Sequence, residues 1–343
     1  VINQRLFDWY GIDTNKNLKL KTFCPRPFDT VLIDKNGSCF ACECTSWLPQ
    51  SAGNLHLQSL KEIINSKIAK ELQNSILDGS YRYCNNKQCA WLLDKNNPPN
   101  WNTEFPKNKI KNIRLAIDDS CNLSCPSCRT RQIFEKDKPR LTKKYKLADK
   151  IIEFIHSQKD TINVHIGSDG DPFASLVYRY FIKNIEKCAN VRFTIQTNGL
   201  LISKMHKRFS YIFDRLDKLN ISIDGATEKT YEELRRGGSF QQIIKNLEYV
   251  KNLKNKSNFK FIIHCVVQKD NYKEIPLMVE LSKKYLADHI WFNRITNWNT
   301  FKNFNDQDVC NEQHREHSVY LKIIENIKQS VDFKKKYIEM ATL

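Results

Sequence analysis

The stretch Ile110-Lys111-Asn112-Ile113-Arg114-Leu115-Ala116-Ile117-Asp118-Asp119-Ser120-Cys121-Asn122-Leu123-Ser124-Cys125-Pro126-Ser127-Cys128 carries a strand pattern straight into three cysteines. Apolar residues dominate Ile110–Ile117, and a polar turn follows at once, as at the end of a buried parallel strand. The thiols stand in a CxxxCxxC spacing on one loop. Thiolates so spaced can ligate three irons of a cubane cluster and leave the fourth iron for a different ligand. Zinc also accepts short Cys spacings, so the surrounding sequence has to decide between them.

Downstream of this loop, short apolar strands alternate with longer helical stretches. Strands are expected at Ile110–Ile117, Ile162–Ile166, Val191–Gln196, Leu219–Ile223, Lys260–Val267 and His289–Arg294. Helices are expected at Lys143–Ser157, Leu176–Cys188, Lys204–Phe213, Thr227–Leu234, Phe240–Leu253 and Lys273–Tyr285. Six strand–helix repeats predict a parallel sheet with helical crossovers, an α/β fold that is doubly wound or a barrel. Alternation within the strands helps choose. Leu219, Ile221 and Ile223 share one face, whereas Asn220, Ser222 and Asp224 share the other. A polar sheet face must meet water or ligand, which favours an open, partial (β/α)6 TIM-like barrel with a polar interior.

Upstream, Asn96-Asn97-Pro98-Pro99-Asn100 continues neither a helix nor a central strand and reads as a linker. The organisation expected is a Cys-rich lobe over 1–95, a linker at 96–107, the barrel over 108–300 and a helical tail over 301–343. Within the lobe, Ser59–Leu77 has the periodicity of one amphipathic helix. Val31-Leu32-Ile33-Asp34 and Ser38-Cys39 flank Asn36-Gly37, a tight-turn pair that suggests a small hairpin.

The CxxxCxxC loop after the first barrel strand resembles the signature of the radical S-adenosyl-L-methionine (AdoMet) superfamily. That resemblance implies a 4Fe–4S cluster on Cys121, Cys125 and Cys128, with AdoMet chelating the fourth iron. It further implies reductive cleavage of AdoMet to a 5′-deoxyadenosyl radical that abstracts hydrogen from substrate. Gly167-Ser168-Asp169-Gly170-Asp171-Pro172 looks like the family's glycine-rich element for the AdoMet amino group, with Asp171 in place of the usual Glu. Asn198 ends the third strand, Ser222 and Asp224 would reach the ribose hydroxyls, and Arg235 or Arg236 would pair with the AdoMet carboxylate. An Arg suits that last role because its planar fork donates two parallel hydrogen bonds. Many members carry an aromatic residue before the third Cys, where this chain has Ser127.

The lobe holds six more cysteines: Cys24, Cys39, Cys42, Cys44, Cys84 and Cys89. Their succession resembles the SPASM/twitch extension, which carries an auxiliary 4Fe–4S cluster and in most relatives follows the barrel. The preferred ligand set is Cys24, Cys42, Cys84 and Cys89, with Cys39 and Cys44 as substitutes. A four-cysteine structural zinc site is the alternative. Cys188 and Cys265 read as buried structural thiols. Cys310, near His314 and His317, is a candidate hydrogen-atom donor to a substrate radical.

Composition narrows the remaining choices. With 55 Lys+Arg against 38 Asp+Glu the formal net charge is +17, which favours anionic partners or simply a basic solvated surface. No apolar run approaches the roughly 20 residues of a membrane span. Val1–Tyr10 lacks the layout of a secretory signal, so a cytoplasmic setting without disulfides is expected. The leading expectation is a radical enzyme acting on a peptide by crosslinking, epimerisation or oxidation, fed by flavodoxin or ferredoxin. The second is a radical dehydrogenase or epimerase of a sugar, cyclitol or other small metabolite. A zinc-stabilised nucleic-acid binder is the remote third, resting on the charge and on stretches such as Trp298-Asn299-Thr300-Phe301-Lys302, but no nucleic-acid motif accompanies them.

Overall fold

The computed structural model describes residues 2–20, 23–93 and 109–341. The linker expected at 96–107 lies outside the described residues. The chain forms two compact units, each gathered from several stretches.

The first unit takes residues 1–118, 136–169 and 183–192. It contains β1 (Thr30–Asp34), β2 (Ser38–Phe40), β3 (Ser51–Asn54), β4 (Asn112–Ala116) and β5 (Ile162–Ile166). β1 and β2 form the expected hairpin, with Leu32 opposite Phe40. Its turn is fixed by Asp34 Oδ1, which accepts from the backbone N–H groups of Asn36 and Ser38 at 2.9 and 2.8 Å. Gly37 completes the turn at φ +79°, a conformation that costs a residue with a Cβ.

β1 also pairs in parallel with β4, from Thr30 opposite Asn112 to Asp34 opposite Ala116. The Cys-rich segment therefore extends the sheet of the first barrel strand rather than standing apart from it. Val31, Leu32 and Ile33 are all buried, and a strand covered on both faces belongs inside a sheet rather than at its rim. β4 and β5 are parallel in turn.

Ser59–Leu77 is not one helix but two, Leu60–Ile64 and Lys67–Leu77. Ser59 and Glu62 form a capping box on the first. Ser66 ends it by capping the second: its Oγ accepts from Ala69 N–H at 3.2 Å and donates to Ala52 O at 2.9 Å. Serine competes with the backbone in this way and so favours helix starts over helix interiors.

The second unit takes residues 119–135, 170–182 and 193–343. β6 (Val191–Thr197), which begins at its boundary, β7 (Leu216–Ser222), β8 (Lys260–Val267), β9 (His289–Arg294) and β10 (Ile338–Ala341) run parallel, each to the next. Phe261, Ile263, Cys265 and Val267 on β8 are buried, and each such Phe, Ile or Val contributes about 1.5–3 kcal/mol by leaving water. Their neighbours Ile262, His264 and Val266 are half-buried. Cys265 thus shares the buried face of β8 with Ile263 and Val267, as expected from the sequence.

Three expectations change here. β7 starts at Leu216 because a register shift at Phe193/Thr194 brings Leu216 opposite Phe193. Lys204–Phe213 is split at Phe209, whose φ −137° and ψ 55° are not helical, into Ile202–Arg208 and Ser210–Asp214. The C-terminal stretch is helical over His317–Gln329 and Val331–Lys334 but then returns to the sheet as β10. No helix among the described residues is long and apolar enough to cross a membrane.

Candidate metal centres and cofactor site

The loop bearing Cys121, Cys125 and Cys128 belongs to the second unit and is tied down by its backbone. Cys121 N–H donates to Ile133 O at 2.7 Å, Ser124 N–H to Arg236 O at 2.9 Å, and Asp171 N–H to Ser120 O at 2.9 Å. Arg129 Nη1 donates to Asp119 O at 2.6 Å. What surrounds the sulfurs is a set of donors. Cys121 Sγ receives Leu123 N–H at 3.4 Å and Asn198 Nδ2 at 3.9 Å. Cys128 Sγ receives Arg129 Nε at 3.5 Å, and Arg235 Nη1 lies 4.0 Å from Cys125 Sγ. Burial pushes the Cys121 thiol up to about 11, with the Asp171 carboxylate adding to it. Burial also raises Cys125, against the pull of Arg235. Metal binding therefore has to displace protons here. Thiols ringed by N–H donors suit an iron–sulfur cluster, whose sulfurs take such hydrogen bonds.

The ends of β6 and β7 supply the next layer. Asn198 Nδ2 donates to Asn122 Oδ1 at 2.9 Å and its Oδ1 accepts from Leu200 N–H at 3.1 Å, so this side chain clamps the cysteine loop to the strand. Asp171 is 1% exposed, and its oxygens are taken. Oδ1 accepts from Phe173 and Ala174 N–H at 3.0 and 3.2 Å, and Oδ2 from Thr197 Oγ1 and Asn198 N–H at 2.7 and 2.8 Å. In this structure Asp171 joins the 170–174 turn to β6 rather than standing free for an amino group. Gly167, at φ +101°, and the exposed Asp169 fall in the first unit.

Asp224 and Arg235, read separately as ribose and carboxylate contacts, are partners of each other. Arg235 Nε lies 2.8 Å from Asp224 Oδ2, off the N–H direction, and Asp224 Oδ1 accepts from Val266 N–H at 2.9 Å. Arg236 is exposed. Ser222 ends β7 beside His264 of β8, which pairs with Trp291 of β9. On this same interior face lie Gln196 opposite Asn220, and His264 Nε2 meets Asn293 Nδ2. Burial, with Arg235 second, lowers His264 to about 4, so its ring is neutral at ordinary pH.

In the first unit, four N-terminal thiols influence one another. Cys84 feels Cys42, Cys24 and Cys89, and Cys42 feels Cys24 and Cys89. Cys44 couples to Cys89. Cys39 feels only Asp34, and its Sγ faces Gly37 O at 3.6 Å, so the structure sets it apart from the other five. Cys24 packs with Phe28, Ile76 and Tyr81, and Cys42 with Phe7, Leu48 and Leu72. Asn85 ties the two thiol-bearing turns together through Trp47 O at 2.9 Å and Ser46 O at 3.2 Å. Backbone N–H groups again aim at sulfur: Arg26 at Cys24, Cys44 at Cys42, Trp91 and Leu92 at Cys89. Among the described residues no three His, Cys, Asp or Glu side chains converge on one ion position.

Cys310 lies beyond β9, half-buried beside Tyr320 and the Arg294–Asp308 pair. Arg294 grips Asp308 by a fork, Nε to Oδ1 at 2.9 Å and Nη2 to Oδ2 at 2.6 Å. Burial raises the Cys310 thiol. Sequence reasoning passed over Arg26, Arg129 and His264. For the first two the available signal was adjacency to a cysteine ligand; for His264 it was the alternation of β8.

Both thiol sets lie within stretches that match known families. Residues 117–282 match the radical SAM superfamily, and residues 24–90 match an iron–sulfur cluster-binding domain, SPASM. Residues 117–282 thus form a radical SAM core, and the protein is an enzyme. The SPASM iron–sulfur domain precedes this core, and the cofactors are 4Fe–4S clusters and AdoMet. It is 29% identical over 186 residues to GTP 3′,8-cyclase of Clostridium perfringens (strain SM101 / Type A), covering 52% of this chain and 54% of that protein. It is 23% identical over 178 residues to GTP 3′,8-cyclase of Synechocystis sp., covering 52% of each. The chain thus spans about half the length of the curated relatives it matches. Among solved structures it is similar to anSMEcpe with bound AdoMet, with TM-score 0.48 and 15% identity over 67% of this chain and 62% of that one. It is also similar to Streptococcus suis SuiB bound to precursor peptide SuiA, with TM-score 0.43 and 15% identity over 67% and 48%.

Proposed function

We propose that this enzyme cleaves AdoMet reductively and uses the resulting radical to take a hydrogen atom from a peptide. The observation that carries the chemistry is the cysteine loop held against the ends of β6 and β7, with N–H donors on all three sulfurs. Cys121, Cys125 and Cys128 would hold the cluster whose electron, passed to AdoMet, supplies the 5′-deoxyadenosyl radical. Asn198 orients Cys121, and Arg235 keeps a positive charge beside Cys125. Asn220, Ser222, His264 and Asn293 offer the polar interior against which substrate would lie. Cys310, whose thiol burial raises, would return a hydrogen atom to a substrate radical, and the thiyl radical it leaves would be restored by an electron from the external donor and a proton.

The peptide reading is supported by the SPASM domain and by the net charge of +17, which attracts acidic chains. A nucleotide or other small metabolite is the second reading, and the names of the curated relatives favour it. Anaerobic incubation of the reduced enzyme with AdoMet and either acidic peptides or nucleotides separates them. The reading predicts 5′-deoxyadenosine above background and a mass change in a peptide. Product formed only from nucleotides would replace it, and no 5′-deoxyadenosine under any condition would end it.

A further inference from the structure

We propose that Arg26 sets the reduction potential of the cluster held by the N-terminal thiols, raising it by fixing a positive charge beside the ligand sulfurs. This rests on the reading that Cys24, Cys42, Cys84 and Cys89 hold that cluster. Arg26 follows Cys24 by two residues, and its backbone N–H reaches the Cys24 sulfur. Three features fix the guanidinium. Nε lies 3.1 Å from Glu43 Oε2, the carbon Cζ stands 5.5 Å over the Trp47 ring, and the side chain is 24% exposed. Nη1 is buried without a hydrogen-bond partner. Glu43 itself lies between Cys42 and Cys44, so the clamp belongs to the thiol-bearing turn. The charge of Arg26 opposes the burial of the Cys24, Cys42 and Cys89 thiols, standing higher among the influences on Cys24 than on the other two.

The direction follows from electrostatics. Adding an electron makes a thiolate-ligated cluster more negative, and a nearby fixed cation stabilises the reduced form. An arginine holds its charge at every working pH, unlike a buried lysine. Glu43 opposes it from the other side. The buried, unpartnered Nη1 would gain an acceptor if a metal-bound thiolate came within its reach.

The test uses full-length protein with Cys121, Cys125 and Cys128 changed to Ala, reconstituted anaerobically and titrated by EPR-monitored potentiometry. In this background Arg26→Gln should lower the midpoint. At a fixed poise the reduced-to-oxidised ratio should fall at least about tenfold, or about 59 mV for one electron. Arg26→Lys should stay close to the parent, and Glu43→Gln should move the midpoint upward. If Arg26→Gln loses its cluster, Arg26→Met, which keeps the bulk and removes the charge, decides the matter by the same downward shift. A full iron complement with a midpoint indifferent to both changes overturns the role of Arg26. A background protein holding no iron overturns the ligand reading itself, and this role with it.

Discussion

Arg235 and Asp224 form a buried ion pair, Nε to Oδ2 at 2.8 Å, at the point where β7 ends and the cysteine loop passes. Their side chains are 11% and 2% exposed, and the guanidinium also lies 4.0 Å from Cys125 Sγ. A charge so buried is tolerable only with its partner. Removing one member of such a pair costs about 3–5 kcal/mol, because the other is left uncompensated. Asp224→Asn and Arg235→Gln should each destabilise the protein by that amount, and the double variant by clearly less than the sum. Urea unfolding of the four proteins closes the cycle. Strict additivity would show that the two charges do not depend on each other.

Cysteine deletions in the first unit should divide cleanly. In a background lacking the barrel thiols, Cys24→Ser, Cys42→Ser, Cys84→Ser and Cys89→Ser should each drop the iron from about four per chain towards zero. Cys39→Ser should leave it intact, since Cys39 is electrostatically apart from the others. Iron and sulfide assays read this directly. A Cys39→Ser protein without iron would move that thiol into the ligand set. Cys44→Ser decides whether the thiol coupled to Cys89 is a ligand or a neighbour.

Asn198 should matter to AdoMet as well as to folding. Its amide links Leu200 N–H, Asn122 Oδ1 and Cys121 Sγ. Asn198→Ala removes roughly two useful hydrogen bonds of about 1 kcal/mol each. AdoMet binding should weaken about tenfold, with the EPR signal of the barrel cluster altered and total iron nearly unchanged. Unaltered affinity and spectrum would leave Asn198 with a purely structural part.

The strands were legible where alternation and turn residues coincide. Ile162–Ile166, Lys260–Val267 and His289–Arg294 are bounded in the structure as they are in the sequence. β10 was not, because Ile338-Glu339-Met340-Ala341 is too short to show a period. The parallel pairing of β1 with β4 was hidden for another reason: Val31-Leu32-Ile33 announces a buried strand but not its neighbour. At the site, spacing alone grouped Cys121, Cys125 and Cys128 on one loop. The mutual engagement of Asp224 with Arg235, and of Asp171 with Thr197 and Asn198, was out of reach. Each such residue type carries the same letter whether it meets a ligand or another side chain.

His264 should make the protein acid-sensitive in a definite window. Burial, helped by the Arg235 charge, lowers its folded value to about 4 from an ordinary 6.5. Between these values the unfolded chain binds a proton that the folded one refuses. The stabilisation is therefore complete above pH 6.5 and is lost as pH falls towards 4. The gap between the two values corresponds to about 3 kcal/mol at most. Protonation would also take away the lone pair at Nε2 that faces Asn293 Nδ2. His264→Gln keeps a polar side chain and removes the titration. The stability difference between parent and variant should shrink by that amount as pH is lowered from 7 to 4, in urea unfolding of anaerobic protein. A difference that stays flat across this range would mean that His264 is protonated in the folded chain as easily as in the unfolded one.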